Sequence, residues 1–545
     1  MEVSLESKPD HSFSALCSAA NFTVEDAASR LGINGSILAK LVAGGVVPIS
    51  IRNALRVEAQ FQCTNVSSGK EASTQVQTSV GSMSCISLFS GAGGLDIGLE
   101  QAGFSTLFAN EIEPHACESL RQNRHLASLD VVQYGRWFDS VVAQQRCYRK
   151  SNADELTKLK MRLLPAITQN ARLLENSIIH EGDVRNLDAQ EVLDAVKMRR
   201  GEIDLIAGGP PCQPFSRAGK REMVECDKGQ LFMDFVRLVD GVRPRWFLFE
   251  NVKGLVLHQS DLAKSACGSC GFSTQVKFEM REQFRDVSEV NQVCENCNFL
   301  TCHQIKWTAK RGGALDIIRA EFERLGYRCY DKILNAADFG AAQSRERVFI
   351  VGSRDNDAFS WPEATHYDPK LNNEPIRNLF ENKSPKQPWK TARQAIFPEG
   401  HWRYGPLDKD KAVLWVKNVV RPHDEPVTWS LDRIAPTVGA HQSAKLAIAP
   451  DGVPEAQLTR QQWHVLGRRQ GDTPPVPVEH EYLTDAELLA LQTFPTTWYL
   501  HGTRMERAFQ IGNAVPPVLA RAVGDAIAAA IKSSDVKQRQ SLAYT

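Results

Sequence analysis

The stretch GGPPCQPFSR, residues 208–217, sets one thiol, Cys212, between prolines just after the apolar run IDLIAGG. Proline fixes φ and removes a backbone donor, so this loop is stiff and presents its thiol instead of packing it. A thiolate is a strong nucleophile near neutral pH, although a lone cysteine is more often inert filling. The neighbours decide between the two. FENV ends an apolar run with Glu250 and Asn251, and QSRERVFIVG places Arg345 and Arg347 on one side of a strand, because side chains alternate along it.

A second group of residues suits a nucleoside. LFSGAGGLDIGLE places Gly91, Gly93 and Gly94 between a strand and a helix, where the backbone can approach a ligand at a helix N-terminus. The spacing is not that of the G-x-G-x-x-G dinucleotide fingerprint. Glu111 ends the next strand and can accept both hydroxyl hydrogens of a ribose; Asp183, in HEGDVRNL, can accept from an adenine amino group. Each acid alone reads as a solvated loop residue. Together they outline a pocket at the carboxyl ends of strands.

A third group is CGSC at 267–270 and CENC at 294–297, a C-x2-C-x23-C-x2-C pattern. Two thiolate knuckles form the ligand set of structural zinc, with no open position for chemistry. Cys302 and His303 are nearby spares that can replace a ligand. The alternatives are reduced loop cysteines or a disulfide pair.

Positioning these groups requires a scaffold. From Cys85 onward, apolar strands (CISLF, STLFANE, EIDLIAGG, RWFLFENV, RERVFIVGSR) alternate with amphipathic helices such as GQLFMDFVRLVDGV. That rhythm predicts an α/β, doubly wound, mostly parallel sheet. Residues 85–354 form this domain, with a long polar helical insertion at 126–178 and a ribbon-like insertion at 258–311. The rhythm stops over 355–456, rich in Pro, Trp and His, which is expected to be a smaller irregular domain. Residues 457–535 return to the first domain, and 536–545 are a tail. Before the sheet, residues 1–63 contain FTVEDAASRLGINGSILAKLVAGG, a helix-turn-helix-like pair that either binds DNA or only packs. Residues 64–84, rich in Ser, Thr, Gln and Gly, read as a linker.

Composition bounds the rest. The 545 residues carry 64 Lys+Arg and 64 Asp+Glu, so any basic surface must be local. No apolar run of membrane-spanning length is seen, and the polar N-terminus is no secretory signal. Thirteen cysteines, an odd count, suit a reducing compartment.

In order, LFSGAGGLDIG, NE, GD, GGPPCQPFS, FENV, QSRERVFIVG, LTDAELLALQTFP and QIGNAVPPVLARAV resemble the motifs of DNA cytosine-5 methyltransferases of the bacterial restriction-modification type. The resemblance covers about half of the chain, and implies a Rossmann-like S-adenosylmethionine-dependent domain with 355–456 as target-recognition domain. It implies Cys212 as the nucleophile toward cytosine C6, Glu250 as donor at N3, Arg347 on O2, Arg345 supporting the thiol loop, and Asn251 bonding that loop's backbone. It implies Phe89 beside the adenine, Gly91 and Gly93 along the methionine part, Glu111 on the ribose, Asp183 on the adenine, and Asn513 closing the pocket. The partner is duplex DNA, bound by a monomer in the cytoplasm at the nucleoid, with the target base flipped out. Two rivals are a tRNA cytosine-5 methyltransferase, whose Cys-Phe-Thr segment is missing from 355–456, and a DNA-binding autoregulator acting through residues 1–63. The insertion 126–178 has no counterpart in the motif set.

Overall fold

The computed structural model describes residues 82–143, 153–169, 173–211, 231–257, 259–277, 280, 282–284, 287–371, 386–397, 412–416, 427–440, 444–448 and 480–543. The helix-turn-helix-like unit 1–63, nearly all of the linker 64–84, and Cys212 itself lie outside the described residues.

The strands of the central sheet are β1 (Met83–Leu88), β2 (Phe104–Glu111), β3 (Ile178–Glu181), β4 (Leu205–Gly208) and β5 (Trp246–Val252). The inserted ribbon then contributes β6 (Gln259–Cys267), β7 (Ser273–Gln275), β8 (Glu289–Val293) and β9 (Leu300–Arg311) before β10 (Arg328–Asn335) and β11 (Glu346–Ser353) complete the sheet. Its order is β10-β11-β5-β4-β1-β2-β3, with β1 to β5 parallel and β11 antiparallel to both β5 and β10. The sheet is therefore mixed at one end. β10 carries no clear strand signal in its sequence, because RCYDKILN is an edge strand with charges exposed on it and no clean alternation.

Both faces are covered, and the two-residue period of each strand shows which side chain goes where. Phe247 and Phe249 join Phe235 and Phe322 in one core, whereas Trp246 and Leu248 join Leu99, Leu519 and Val523 in the other. Glu250 follows Trp246 and Leu248 onto that second face, at its carboxyl end. The helix Pro517–Ala543 supplies most of the stretch Arg504–Val536, which is long and apolar enough to cross a membrane, but its Leu519, Val523, Ile527 and Ile531 are buried in one core with Leu95 and Leu99 of the helix Gly94–Gln101, which marks it as a core helix. The contact is close: a Cβ on Gly98 would lie 2.5 Å from the carbonyl of Pro517. This is how the chain's last helix packs on the first one of the sheet domain.

The described residues of the insertion are mostly helical, and they are docked. Trp137 meets Tyr499 edge-on at 5.3 Å, the Arg162 guanidinium donates to the Thr496 carbonyl at 2.5 Å, and Glu100 accepts from the Leu174 amide at 2.8 Å. Burial pushes the Glu100 carboxyl up to about 7. In the region expected to be irregular, β12 (His366–Tyr367) and β13 (Gln387–Pro388) form a short pair, and β14 (Ala412–Val416), β15 (Val427–Trp429), β16 (Ala444–Ile448) and β17 (His480–Tyr482) form an antiparallel sheet. β17 lies beyond residue 456, so the smaller domain's pairing extends past the expected boundary. Strands of two to five residues separated by long connections leave little periodic signal.

Candidate active site

The glycine loop follows β1. Phe89 has φ 56°, a left-handed conformation that is unusual for a bulky residue and marks local strain at the strand end. Gly91 has φ 53° with open space where a Cβ would project, so its backbone faces a free volume. On the other side the loop is closed. The Trp498 indole donates to the Ala92 carbonyl at 3.0 Å, and a Cβ on Gly94 would collide with the Val515 carbonyl. Trp498 is thus a positioning residue that sequence reasoning missed; it lies 406 positions from its partner, beyond any local pattern.

Glu111 ends β2 beside this loop. One carboxylate oxygen accepts from the Gly91 amide at 2.7 Å and the other from the Ile112 and Glu113 amides, each at 2.8 Å. The three bonds hold the carboxylate at the pocket edge. Ile112, next to it, is 59% exposed, an apolar side chain left uncovered beside a hydrogen-bonding acid. Asp183 follows β3 and is engaged by its own turn: the Arg185 guanidinium and amide both donate to it, and that guanidinium holds the carboxyl below its ordinary range. Asn513 ends the helix Arg504–Asn513 and is exposed, one residue past the buried Gly512.

The second half of the site sits on β5 and β11. Glu250 is opposite Phe349, so Arg347, two residues along, shares its face and reaches it diagonally. The Arg347 Nε and Glu250 carboxylate are 2.9 Å apart, and both side chains are largely buried. Burial pushes the Glu250 carboxyl up, while Arg347 and Arg345 pull it down, with burial prevailing. The Asn251 side chain donates to the Pro210 carbonyl at 3.1 Å, tethering the strand end to the loop two residues before Cys212. Gly209 lies against Glu250, where a Cβ would come within 2.5 Å of a carboxylate oxygen.

Arg345 is 1% exposed and donates to the Val438 and Gly512 carbonyls at 3.0 and 2.7 Å. Its guanidinium therefore clamps the end of the smaller domain and the returning helix onto β11. Gln343 adds to this clamp, accepting from the Val438 amide and donating to Leu491 and Gln492, and Gln492 donates onward to Ile511. Any contact of Arg345 with the thiol loop falls outside the described residues.

In the ribbon, the sulfurs of Cys267, Cys270, Cys294 and Cys297 lie within 4.8 Å of one another. The separations Cys267–Cys297, 4.0 Å, and Cys270–Cys294, 3.6 Å, bracket the ~3.8 Å edge of a tetrahedron built on Zn–S bonds of about 2.3 Å. The knuckles match: Gly271 and Asn298, each following the second cysteine, both adopt left-handed φ, 71° and 56°. The spares do not join. Cys302 bonds Glu289, and His303 Nδ1 is shared with Ser265 and Gln292.

These features coincide with one family. The model of the C-5 cytosine-specific DNA methylases matches residues 83–134, 169–269 and 293–529, leaving out most of the helical insertion and the middle of the ribbon. A type II methyltransferase of Picosynechococcus sp., M.AquIA, is 32% identical over 311 residues, covering 57% of this chain and 86% of its own length. Another, M1.HphI of Haemophilus parahaemolyticus, is 27% identical over 465 residues, covering 82% of this chain and 87% of its own. The chain belongs to the C-5 cytosine-specific DNA methylase family. It is a methyltransferase acting on DNA cytosine, and membership implies S-adenosylmethionine as the methyl donor.

Proposed function

We propose that the chain is the modification enzyme of a type II restriction-modification system. It methylates cytosine C5 within a specific duplex sequence, acting as a monomer in the cytoplasm. The reading of its chemistry rests on one arrangement: a buried Glu250 paired to Arg347, beside an Asn251 tether to the loop that carries Cys212.

The Cys212 thiolate adds to C6 of a flipped-out cytosine, and the electron density that reaches the ring makes C5 nucleophilic. Glu250, its carboxyl pushed up by burial, donates at N3 as that density develops. Arg347 orients Glu250 and offers its remaining N–H groups to the base's O2. Arg345 acts at one remove, holding the segments around Val438 and Gly512 against the site. Bound S-adenosylmethionine supplies an electrophilic methyl group. Gly91, Gly93 and Glu111 hold it, with Phe89, Ile112 and Asp183 around the adenine and Asn513 at the mouth. For Asp183 to meet an adenine amino group, the Arg185 guanidinium must share or leave it. Once C5 carries the methyl group, with S-adenosylhomocysteine as the other product, N3 returns its proton to Glu250, and loss of the C5 proton to water with expulsion of the thiolate restores the ring and the enzyme. Digesting the reacted DNA to nucleosides is expected to yield 5-methyldeoxycytidine; a methyl group on N4, or on RNA alone, overturns the reading.

The ribbon holds one structural zinc on Cys267, Cys270, Cys294 and Cys297. Elemental analysis of purified protein is expected to give about one zinc per chain, with the Cys294→Ser variant losing metal and ribbon stability together. A metal-free preparation with an intact ribbon contradicts the assignment.

A further inference from the structure

The ribbon sheet, ordered β7-β6-β9-β8, has two unlike faces. One is packed, with Ala263, Val276 and Ile305 buried around Phe284 and Trp307. The other faces solvent beyond its root: Lys264 on β6 and Gln304, Lys306, Thr308 and Lys310 on β9 are all exposed. Lys264 and Lys306 are register partners, directly opposite one another. Directly opposed side chains in an antiparallel pair stand about 5 Å apart at Cβ, and like charges there destabilise the pair. The charged neighbours do not relieve it. Lys310 is paired with Asp316 at 2.7 Å, and Glu289 is taken by Gln304 at 2.6 Å. Among the described residues, neither Lys264 nor Lys306 has a carboxylate within ion-pair distance. Two opposed ammonium groups kept unneutralised by the fold suit an external anion.

The ribbon's place says which anion. β6 begins at Gln259, directly after the helix Gly254–Leu257 that follows β5, the strand carrying Glu250 and Asn251. The ribbon is therefore rooted at the carboxyl rim of the central sheet, the rim where ligands of such sheets bind and which a duplex must approach to deliver a base. We propose that the open face of the ribbon grips the DNA phosphate backbone beside the target site through Lys264 and Lys306, as a contact separate from the target-recognition segment. The inference rests on the DNA methylase reading. Contacts to phosphate position a duplex without reading its sequence, so this surface contributes affinity and register but no base preference.

The test uses the full zinc-loaded chain and a random-sequence duplex long enough to pass the ribbon. Binding is followed by fluorescence anisotropy at increasing salt. Each phosphate contact adds ~0.9 to the slope of log K against log salt, so Lys264→Gln with Lys306→Gln is expected to lower that slope by about 1.8. The affinity loss should be the same on every sequence, and kcat at saturating DNA should stay at the wild-type value. The double arginine variant, which keeps both charges, should keep the wild-type slope. An unchanged slope in the glutamine variant, or an equal fall in the arginine variant, overturns the proposal. Failure of the wild-type chain itself to bind or methylate DNA would instead strike the methylase reading.

Discussion

Cys212→Ser is expected to reduce methyl transfer to background while leaving S-adenosylmethionine affinity at the wild-type value. A serine hydroxyl has nearly the same shape but is a weak nucleophile without an adjacent base, and the two described side chains beside this loop do not serve as one: Glu250 is tied to Arg347, and Asn251 cannot take a proton. Cofactor affinity should be spared because the groups assigned to it, Gly91 and Glu111, lie at the ends of β1 and β2, held by their own hydrogen bonds. Tritium transfer to DNA and equilibrium binding of the donor, measured on one preparation, separate the two effects. Wild-type turnover by the serine variant would remove the covalent route.

Glu250→Gln is expected to lower kcat by about 10²- to 10⁴-fold, the range for loss of a positioned proton donor. The glutamine amide can still reach N3 but cannot release a proton to it. It also leaves the Arg347 guanidinium without its anion in a buried place, so part of the loss should appear as weaker binding of the flipped base. The sign of the pH effect follows from the protonated form being the donor. That form is lost as pH rises through the carboxyl's pKa, which burial has moved up, so wild-type activity should fall on the alkaline side of the profile and the glutamine variant should lack that limb. Steady-state rates at saturating DNA across pH check this. A variant with undiminished kcat, or one keeping the same alkaline fall, would take the proton-donor role away from Glu250.

Much of the scaffold was legible because parallel strands buried on both faces read as short apolar runs. IDLIAGG and RWFLFENV became β4 and β5, and Glu250 and Asn251 lie near the carboxyl end of β5. The pairing of Arg347 with Glu250 also follows from alternation once the two strands are neighbours, though only the structure makes them so. What was not legible is contact at long separation. Trp498 reaching Ala92, Arg345 reaching Gly512, and Gln343 reaching Gln492 are single hydrogen bonds between segments with no shared periodicity. Arg345 was accordingly expected at the thiol loop, whereas its visible partners are two backbone carbonyls of the returning chain. The ribbon was legible in its four cysteines, whose sulfurs the structure brings within 4.8 Å of one another and whose types and spacing suit a metal. Its open lysine face was not, because the opposition of Lys264 and Lys306 depends on strand register.

The covalent route is tested most directly with duplex DNA in which the target cytosine carries fluorine at C5. Fluorine cannot leave as the C5 proton does, so the bond from Cys212 to C6 should persist after methyl transfer. Incubation with S-adenosylmethionine is expected to give a protein–DNA adduct that survives denaturation and whose tryptic map places the oligonucleotide on the peptide containing Cys212. Methylation of unmodified DNA by the same preparation, with no such adduct on the fluorinated duplex, would contradict the mechanism.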